Sequence, residues 1–263
     1  MTPTELAVLN RQAISAAKRH MGLPAWGTVA LIAVVGIAYA ATLVLAVQGT
    51  LPLLPATVVL AVLTYVAYTP LHEAAHGNIH GERTGLAWLN ALCGHVAAQF
   101  ILVPYVTHRV EHFAHHRYTN QPGLDPDHVI SGMSGGPLAF VKAVIGFLWS
   151  QWTFLFRDYW ATAPAREKVT FLAEVILALG WRAALLAVLP WSAWLLLVPL
   201  AWFGGALFTA YWFAYRPHHP YDETARYRNT SSLILPTWLR PLEWFWLGQN
   251  LHSIHHAFPR VPF

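Results

Sequence analysis

Residues 51–76 read LPLLPATVVLAVLTYVAYTPLHEAAH, a stretch in which an apolar run passes directly into two histidines. No charged residue interrupts 51–71, and a helix needs about 20 such residues to cross the core of a bilayer. His72 and His76 follow at a spacing of four, which places both side chains on one face of a helix. The stretch therefore predicts a transmembrane helix that presents a pair of histidines at one membrane surface.

The composition extends this prediction to the whole chain. Of the 263 residues, 56% are hydrophobic and only 11% are charged, whereas an average soluble domain carries about 25% charged residues. The low charge excludes an ordinary soluble domain and favours a single membrane domain over residues 1–263. Four strong spans are predicted, at about 26–48, 51–71, 169–189 and 191–214.

Two weaker apolar segments lie between the second and third spans. The segment 85–106 carries Asn90, His95 and Gln99, which suits a buried re-entrant hairpin better than a lipid-facing crossing. The segment 137–156 mixes Lys142 with many aromatic residues, which is typical of an amphipathic interfacial helix. The predicted fold is an all-α integral membrane protein with four transmembrane helices, a re-entrant segment, an interfacial helix and a cytosolic histidine-rich cap.

The basic residues predict the orientation of the chain. Among lysines and arginines, only Arg182 falls within a predicted span, and the short loops 48–50 and 190–191 carry no charge. By the positive-inside rule, the N-terminus and the basic segments lie in the cytosol. The net charge of +4 therefore indicates membrane topology and not nucleic-acid binding. We expect a multi-pass protein of a bacterial inner membrane.

The 15 histidines are concentrated near the ends of the predicted spans. Residues three and four apart share one helix face, so each group of histidines can present several imidazoles to one point. Imidazole suits iron, copper, zinc and nickel. His20, His95, His108 and His128 lie outside the pattern, and we expect packing or surface roles for them. Besides His72 and His76, the groups are His112-Phe-Ala-His115-His116, His218-His219 and His252-Ser-Ile-His255-His256.

The H-x-x-x-H and the two H-x-x-H-H boxes resemble those of the membrane fatty acid desaturase and hydroxylase superfamily, over about residues 26–263. The resemblance implies a di-iron enzyme that uses O2 and two electrons to desaturate, hydroxylate or ketolate lipids. THRVEHFAHH (107–116), AYRPHHPY (214–221) and LGQNLHSIHHAFPRVP (247–262) look like the desaturase-like carotenoid β-ring hydroxylase branch. HHRYTN (115–120) is also similar to acyl desaturases.

Carried over by motif, the resemblance implies a set of histidines that hold two iron ions. Some desaturases have an asparagine four residues before the histidine that follows the last span, where this chain has Ala214. Water, His80 or Asn250 are therefore further candidates for the last ligand, and His80 continues the helical phase of His72 and His76. Iron is favoured over zinc because zinc has no redox chemistry. The implied ligands are His72, His76, His112, His115, His116, His218, His252, His255 and His256.

Two further sets of residues are expected around these ligands. Ligating histidines need partners for their second ring nitrogen, and the candidates are Glu73, Glu111, Asp125, Asp127 and Asp222. An apolar and aromatic substrate pocket should run from the metals into the bundle. Its candidate lining, some of which would instead form an interfacial aromatic belt, is Tyr65, Trp88, Phe100, Tyr105, Trp149, Trp152, Trp212 and Trp244.

The chain shows no reductase of its own. It lacks a glycine-rich dinucleotide fingerprint, and its single cysteine, Cys93, cannot hold an iron–sulfur cluster. Electrons are therefore expected from a separate donor such as a ferredoxin, docked near Arg226, Arg228 and Arg240.

These observations favour O2-dependent oxidation of a lipid C–H bond, with hydroxylation of a β-carotene-type ring as the first hypothesis. An acyl-lipid desaturase or hydroxylase and a carotenoid ketolase remain alternatives. A metal transporter is disfavoured because transporters usually place their ligands at the membrane midplane. A heme carrier is disfavoured because each heme needs only one or two axial histidines.

Overall fold

The computed structural model describes residues 2–262 and confirms an all-α integral membrane protein, with 74% helix and no strand in that range. Five of the described helices are long and apolar enough to cross a membrane, at Trp26–Val47, Leu53–His76, Pro137–Tyr159, Ala165–Ala187 and Trp191–Tyr215. The α-helices are α1 (Pro3–Lys18), α2 (Trp26–Val47), α3 (Leu53–His76), α4 (Ala87–Ile101), α5 (Tyr105–Tyr118), α6 (Pro137–Phe154), α7 (Ala165–Ala184), α8 (Trp191–Leu195), α9 (Ala201–Thr209) and α10 (His252–Ala257).

Shorter helical segments complete the chain. π-helical turns extend α6 over Leu155–Tyr159, join α8 to α9 over Leu196–Leu200 and extend α9 over Ala210–Tyr215. Helices α8 and α9 with these turns form one unit, the last span (Trp191–Tyr215). The 3-10 segments are Thr84–Leu86, Pro126–Ser134, Leu185–Ala187, Thr237–Trp246 and Gln249–Leu251.

Helix α3 is the centre of the bundle and packs against α2, α4 and α9. A Cβ atom added to Gly205 would lie 2.5 Å from the carbonyl oxygen of Ala61 and 2.7 Å from Cβ of Thr64. Small residues of this kind let two membrane helices approach closely. Helix α3 ends where Gly77 adopts a left-handed conformation with φ 73°, so His72 and His76 occupy its final turns.

Helices α4 and α5 form a sharply bent pair in place of a straight span, with an angle of 95° between them. The break follows Leu102, whose φ is 57°. At the start of α5, the carboxylate of Glu174 on α7 accepts hydrogen bonds from the backbone N–H of Tyr105 (3.0 Å) and Val106 (3.3 Å). The same carboxylate pairs with Nδ1 of His95 at 2.8 Å. Glu174 thus satisfies donors that a helix start leaves unpaired.

Arg182 pairs with backbone carbonyl groups at the end of α4. Its guanidinium donates to the carbonyl oxygens of Gln99 (2.6 Å) and Phe100 (3.3 Å), which a helix end leaves without partners. The two charges within α7 therefore stabilise the two sides of one break, in agreement with the sign of the helix dipoles.

Helix α6 differs from the expected interfacial helix in one respect. With its π-helical turn it is long and apolar enough to be a fifth span. Its most extensive packing is against the 3-10 segment Pro126–Ser134 and against α5, which lie beside the histidines. It is therefore a neighbour of the cap rather than of the central helix α3.

Candidate metal centre

Nine histidines gather into two adjacent clusters at one end of the bundle. Within each cluster, one ring nitrogen from each residue lies within 4.8 Å of the others. These are the nine residues that the family resemblance implied. The first cluster is His72, His76, His112, His116 and His255, and the second cluster is His115, His218, His252 and His256.

Helix α5 serves both clusters. His112 and His116 lie one turn apart and join the first cluster. His115 belongs to the second cluster, because one residue along a helix rotates the side chain by about 100°. Helix α10 divides its three histidines between the clusters in the same way. One H-x-x-H-H box can thus supply two neighbouring sites.

The distances between ring nitrogens fit a metal site. Nε2 of His112 lies 2.9 Å from Nε2 of His76 and 3.1 Å from Nε2 of His116. Nε2 of His218 and His252 are 3.0 Å apart. Nitrogens bound to one metal at right angles, with bonds of about 2.1 Å, are separated by about 3.0 Å. The spacing therefore matches adjacent ligands of one ion in each cluster.

The four cluster histidines that follow the last span, His218, His252, His255 and His256, are held neutral. Burial, with a further contribution from His115, lowers the pKa of His252 to about 3. Burial and the neighbouring imidazoles lower the pKa of His218, His255 and His256 well below the ordinary value. A neutral imidazole keeps a lone pair, which is the form that binds a metal.

Asp125 orients a histidine of the second cluster. Nδ1 of His115 donates to Oδ1 of Asp125 at 2.8 Å, which leaves Nε2 as the ring's metal-binding atom. Backbone N–H groups of Asn120 (2.7 Å) and Asp127 (2.9 Å) donate to the same carboxylate and fix its position. Of the predicted partners, Asp125 therefore makes the most direct contact with a candidate ligand.

Asn120, which is not among the predicted partners, plays the same role for His218. Its Oδ1 accepts from Nδ1 of His218 at 3.0 Å. Its amide nitrogen donates to the carbonyl oxygens of Glu223 and Asn229, both at 2.7 Å. The sequence signal for it is its place in the motif HHRYTN, four residues after His116.

Three other predicted partners, all carboxylates, make different contacts. Glu73 is fully buried and accepts from Nδ2 of Asn78 at 3.2 Å. Glu111 accepts a hydrogen bond from Gln151, a residue that the sequence did not mark as part of the site. Asp127 lies 3.7 Å from Nδ1 of His115.

One predicted partner and two possible ligands do not belong to the clusters. Asp222 is exposed and, within residues 2–262, makes no hydrogen bond to a histidine. His80 is half-buried and belongs to neither cluster. Asn250 donates through Nδ2 to the carbonyl oxygen of Leu233 at 3.0 Å.

Two adjoining cavities lead away from the histidines. The inner cavity is lined by His112, His115 and His252 of the two clusters. The outer cavity is lined mainly by apolar side chains of α3, α4, α6 and α9. Both cavities share the side chains of Tyr68, His108, Phe147, Gln151 and Thr209, which form the neck between them.

The predicted aromatic lining lies elsewhere. Trp88, Trp149 and Trp244 are exposed on the outside of the bundle, as in an interfacial belt. The remaining predicted positions are in the helix core or around a separate recess: Tyr65, Phe100, Tyr105, Trp152 and Trp212. Tyr68, which does line both cavities, lies one turn before His72 on the same face of α3, and this spacing was the available signal.

Comparison with known proteins agrees with this site. The family model described as fatty acid desaturase matches residues 48–263, which is most of the chain. No curated protein matches the sequence. Proteins of the matched family are oxidoreductases, and the histidine clusters are compatible with di-iron oxidation of a lipid. The chain belongs to the fatty acid desaturase family.

Proposed function

We propose that this protein holds two iron ions in its two histidine clusters and uses O2 to oxidise a C–H bond of an apolar membrane lipid. The observation that carries the proposal is the pair of adjoining cavities: the inner one lies against the clusters, the outer one is apolar, and the five side chains that they share mark a path between them. Such a path would bring a hydrocarbon to the metals without passing it through water.

The bound iron ions would supply the reduction of O2 and the removal of a hydrogen atom from the substrate. The chain holds the ligands in place. Asp125 and Asn120 fix the rings of His115 and His218 through their Nδ1 atoms. The apolar outer cavity excludes water and orients the hydrocarbon.

Hydroxylation of a β-carotene-type ring is the first substrate hypothesis. No charged side chain lines the outer cavity, so the cavity suits a hydrocarbon that has no charged head at that end. The three sequence stretches that resemble carotenoid ring hydroxylases support the same choice. A carotenoid ketolase would use the same site.

An acyl-lipid desaturase or hydroxylase is the second candidate. Two adjoining cavities, joined at a neck of five shared side chains, also suit an extended acyl chain.

Electrons would come from a separate donor such as a ferredoxin, on the cytosolic side of a bacterial inner membrane. Of the three arginines proposed for docking, Arg226 donates to the carbonyl oxygen of Ala257, next to His256. Arg228 pairs with Glu223, and Arg240 lies on the segment Thr237–Trp246. Reversing the charge of Arg226 should raise the apparent KM for the donor.

The test combines product and metal analysis. The protein is expressed in cells that accumulate β-carotene, and pigments and fatty acids are identified by mass spectrometry. His115→Ala removes a ligand of the second cluster, and His128→Ala, outside both clusters, is the matched control. We expect oxygenated carotenoid with the unaltered protein and with His128→Ala, and none with His115→Ala.

The iron content tests the metal centre independently of the identity of the substrate. Purified protein should contain two iron atoms per chain, and His115→Ala should contain fewer. New unsaturated or hydroxylated acyl chains with unchanged pigment would replace the carotenoid hypothesis by the acyl-lipid one. Full iron content in His115→Ala would contradict the proposed ligand set.

A further inference from the structure

A small recess lies beside the end of the last span, and its walls include Arg216, Trp246 and Gln249. The ring of Trp212 packs against that of Trp246 at 5.4 Å and closes one side. No histidine and no carboxylate line the recess, so it belongs neither to the metal clusters nor to the substrate path.

The recess contains hydrogen-bonding groups that the described residues 2–262 leave without partners. Arg216 is exposed, and its guanidinium makes no ion pair or side-chain hydrogen bond in that range. The indole N–H of Trp246 is buried and has no acceptor. Gln249 is only 1% exposed, and its Oε1 has no donor. Buried polar groups are nearly always paired, so the N–H of Trp246 and Oε1 of Gln249 point to a ligand, and the exposed Arg216 supplies a positive charge beside them.

The chemistry of these groups defines the ligand. Arg216 and the N–H of Trp246 donate, which suits the anionic oxygens of a phosphate. Oε1 of Gln249 accepts, so a part of the ligand next to the phosphate should carry an O–H or N–H group. Phosphoglycerol and phosphoethanolamine combine both features, whereas phosphocholine has the phosphate but no such donor.

The position of the recess favours a lipid as the source of the phosphate. Arg216 directly follows the last span, where the chain leaves the membrane. Trp246 ends the segment Thr237–Trp246, whose Trp238 and Trp244 are 78% and 72% exposed. Exposed indoles at the end of a span are typical of the depth at which lipid headgroups lie.

We propose that this recess binds the headgroup of a membrane glycerophospholipid, with the phosphate on Arg216 and Trp246 and an O–H or N–H group on Gln249. The lipid would be a bound structural ligand, separate from the oxidised substrate. The inference does not depend on the metals or on the reaction.

The test measures lipid binding by native mass spectrometry of the full, metal-loaded protein in detergent. The probes are phosphatidylglycerol, phosphatidylethanolamine, phosphatidylcholine and diacylglycerol with the same acyl chains. We expect the first two to bind, phosphatidylcholine to bind on the order of tenfold more weakly, and diacylglycerol to show no specific binding.

Trp246→Phe removes the N–H and keeps an aromatic ring, and we expect it to weaken phosphatidylglycerol binding on the order of tenfold. Trp244→Phe makes the same change at an exposed position and should have no effect. Arg216→Gln should weaken binding by at least as much as Trp246→Phe. Thermal unfolding in lipid-free detergent shows whether each variant is folded.

Three results would overturn the proposal. One is equal binding by folded Trp246→Phe and Trp244→Phe, and another is diacylglycerol binding as tight as that of phosphatidylglycerol. The third is displacement of the lipid by an equal concentration of free glycerol 3-phosphate, which would identify a soluble anion as the ligand.

Discussion

The carboxylate of Asp125 shows how a single residue outside the ligand set can control a metal site. It accepts from Nδ1 of His115 and is itself held by two backbone N–H groups. Asp125→Asn should lower metal affinity by about 10- to 100-fold, because partners of this kind orient the ligand and raise its basicity. Iron content after dialysis against a chelator measures the effect.

Asp222→Asn is the matched control. This carboxylate was also predicted to contact a histidine, yet it is exposed and far less constrained. The variant should keep the metal content and activity of the unaltered protein. Equal iron retention by Asp125→Asn and Asp222→Asn would show that the contact with His115 has no role in metal binding.

At this scale the sequence predicted residues whose spacing is local and missed those whose contacts are distant. The histidine boxes could be read because three- and four-residue spacings fix a helix face. The contact of Asn120 with His218 joins residues 98 positions apart, which no local pattern encodes. The predicted aromatic residues do not line the two cavities beside the clusters, because composition does not distinguish a ring that faces lipid from one that faces a cavity.

Among the helices, the approach of α9 to α3 depends on one glycine. A methyl group at Gly205 would overlap the backbone of Ala61, so Gly205→Ala should destabilise the protein by about 1–3 kcal/mol through overpacking. The neighbouring Gly204 has only an ordinary contact, 3.5 Å to Cβ of Ala61. Denaturant unfolding in detergent should therefore show a loss for Gly205→Ala and none for Gly204→Ala.

The charged residues of α7 give a second prediction, which concerns the stability of the break between α4 and α5. Arg182→Gln leaves the last carbonyl groups of α4 without their charged donor, at a cost of about 2 kcal/mol. Arg166 lies on the exposed start of the same helix, and Arg166→Gln should not change stability. The midpoint of unfolding measures both, and an equal midpoint for the two variants would contradict the role assigned to Arg182.

The helices could be predicted where hydropathy determines their position. The apolar runs located the spans. The polar residues within 85–106 indicated a segment that does not cross the membrane as one straight helix. The sequence could not indicate that Glu174 and Arg182 bind the two sides of its break, because that depends on how α7 packs. Nor did it indicate the π-helical turn at Pro199, where the missing N–H interrupts regular α-helical bonding.

Over the whole molecule, the meeting of the histidines restricts how the chain crosses the membrane. His116 and His218 come together in adjacent clusters, so an even number of crossings must separate them. Helix α7 and the last span account for two. We therefore expect α6 to lie along the membrane surface, as the sequence predicted, although its length would allow it to cross.

Cysteine labelling tests this topology. In a Cys93→Ser background, which removes the only cysteine, Gly49→Cys and Ala161→Cys are treated with a membrane-impermeant maleimide. If α6 does not cross, the two positions react from opposite sides of the membrane. Reaction of both from the same side would show that α6 is a span.

The shared use of α10 has a consequence for biosynthesis. This helix supplies His255 to the first cluster and His252 and His256 to the second, and it follows every membrane helix in the chain. If the clusters hold the two proposed ions, a nascent chain whose spans have all been integrated still lacks part of each ligand set. Both sets are then completed only after α10 has been translated and has folded back onto the histidines of α3 and α5.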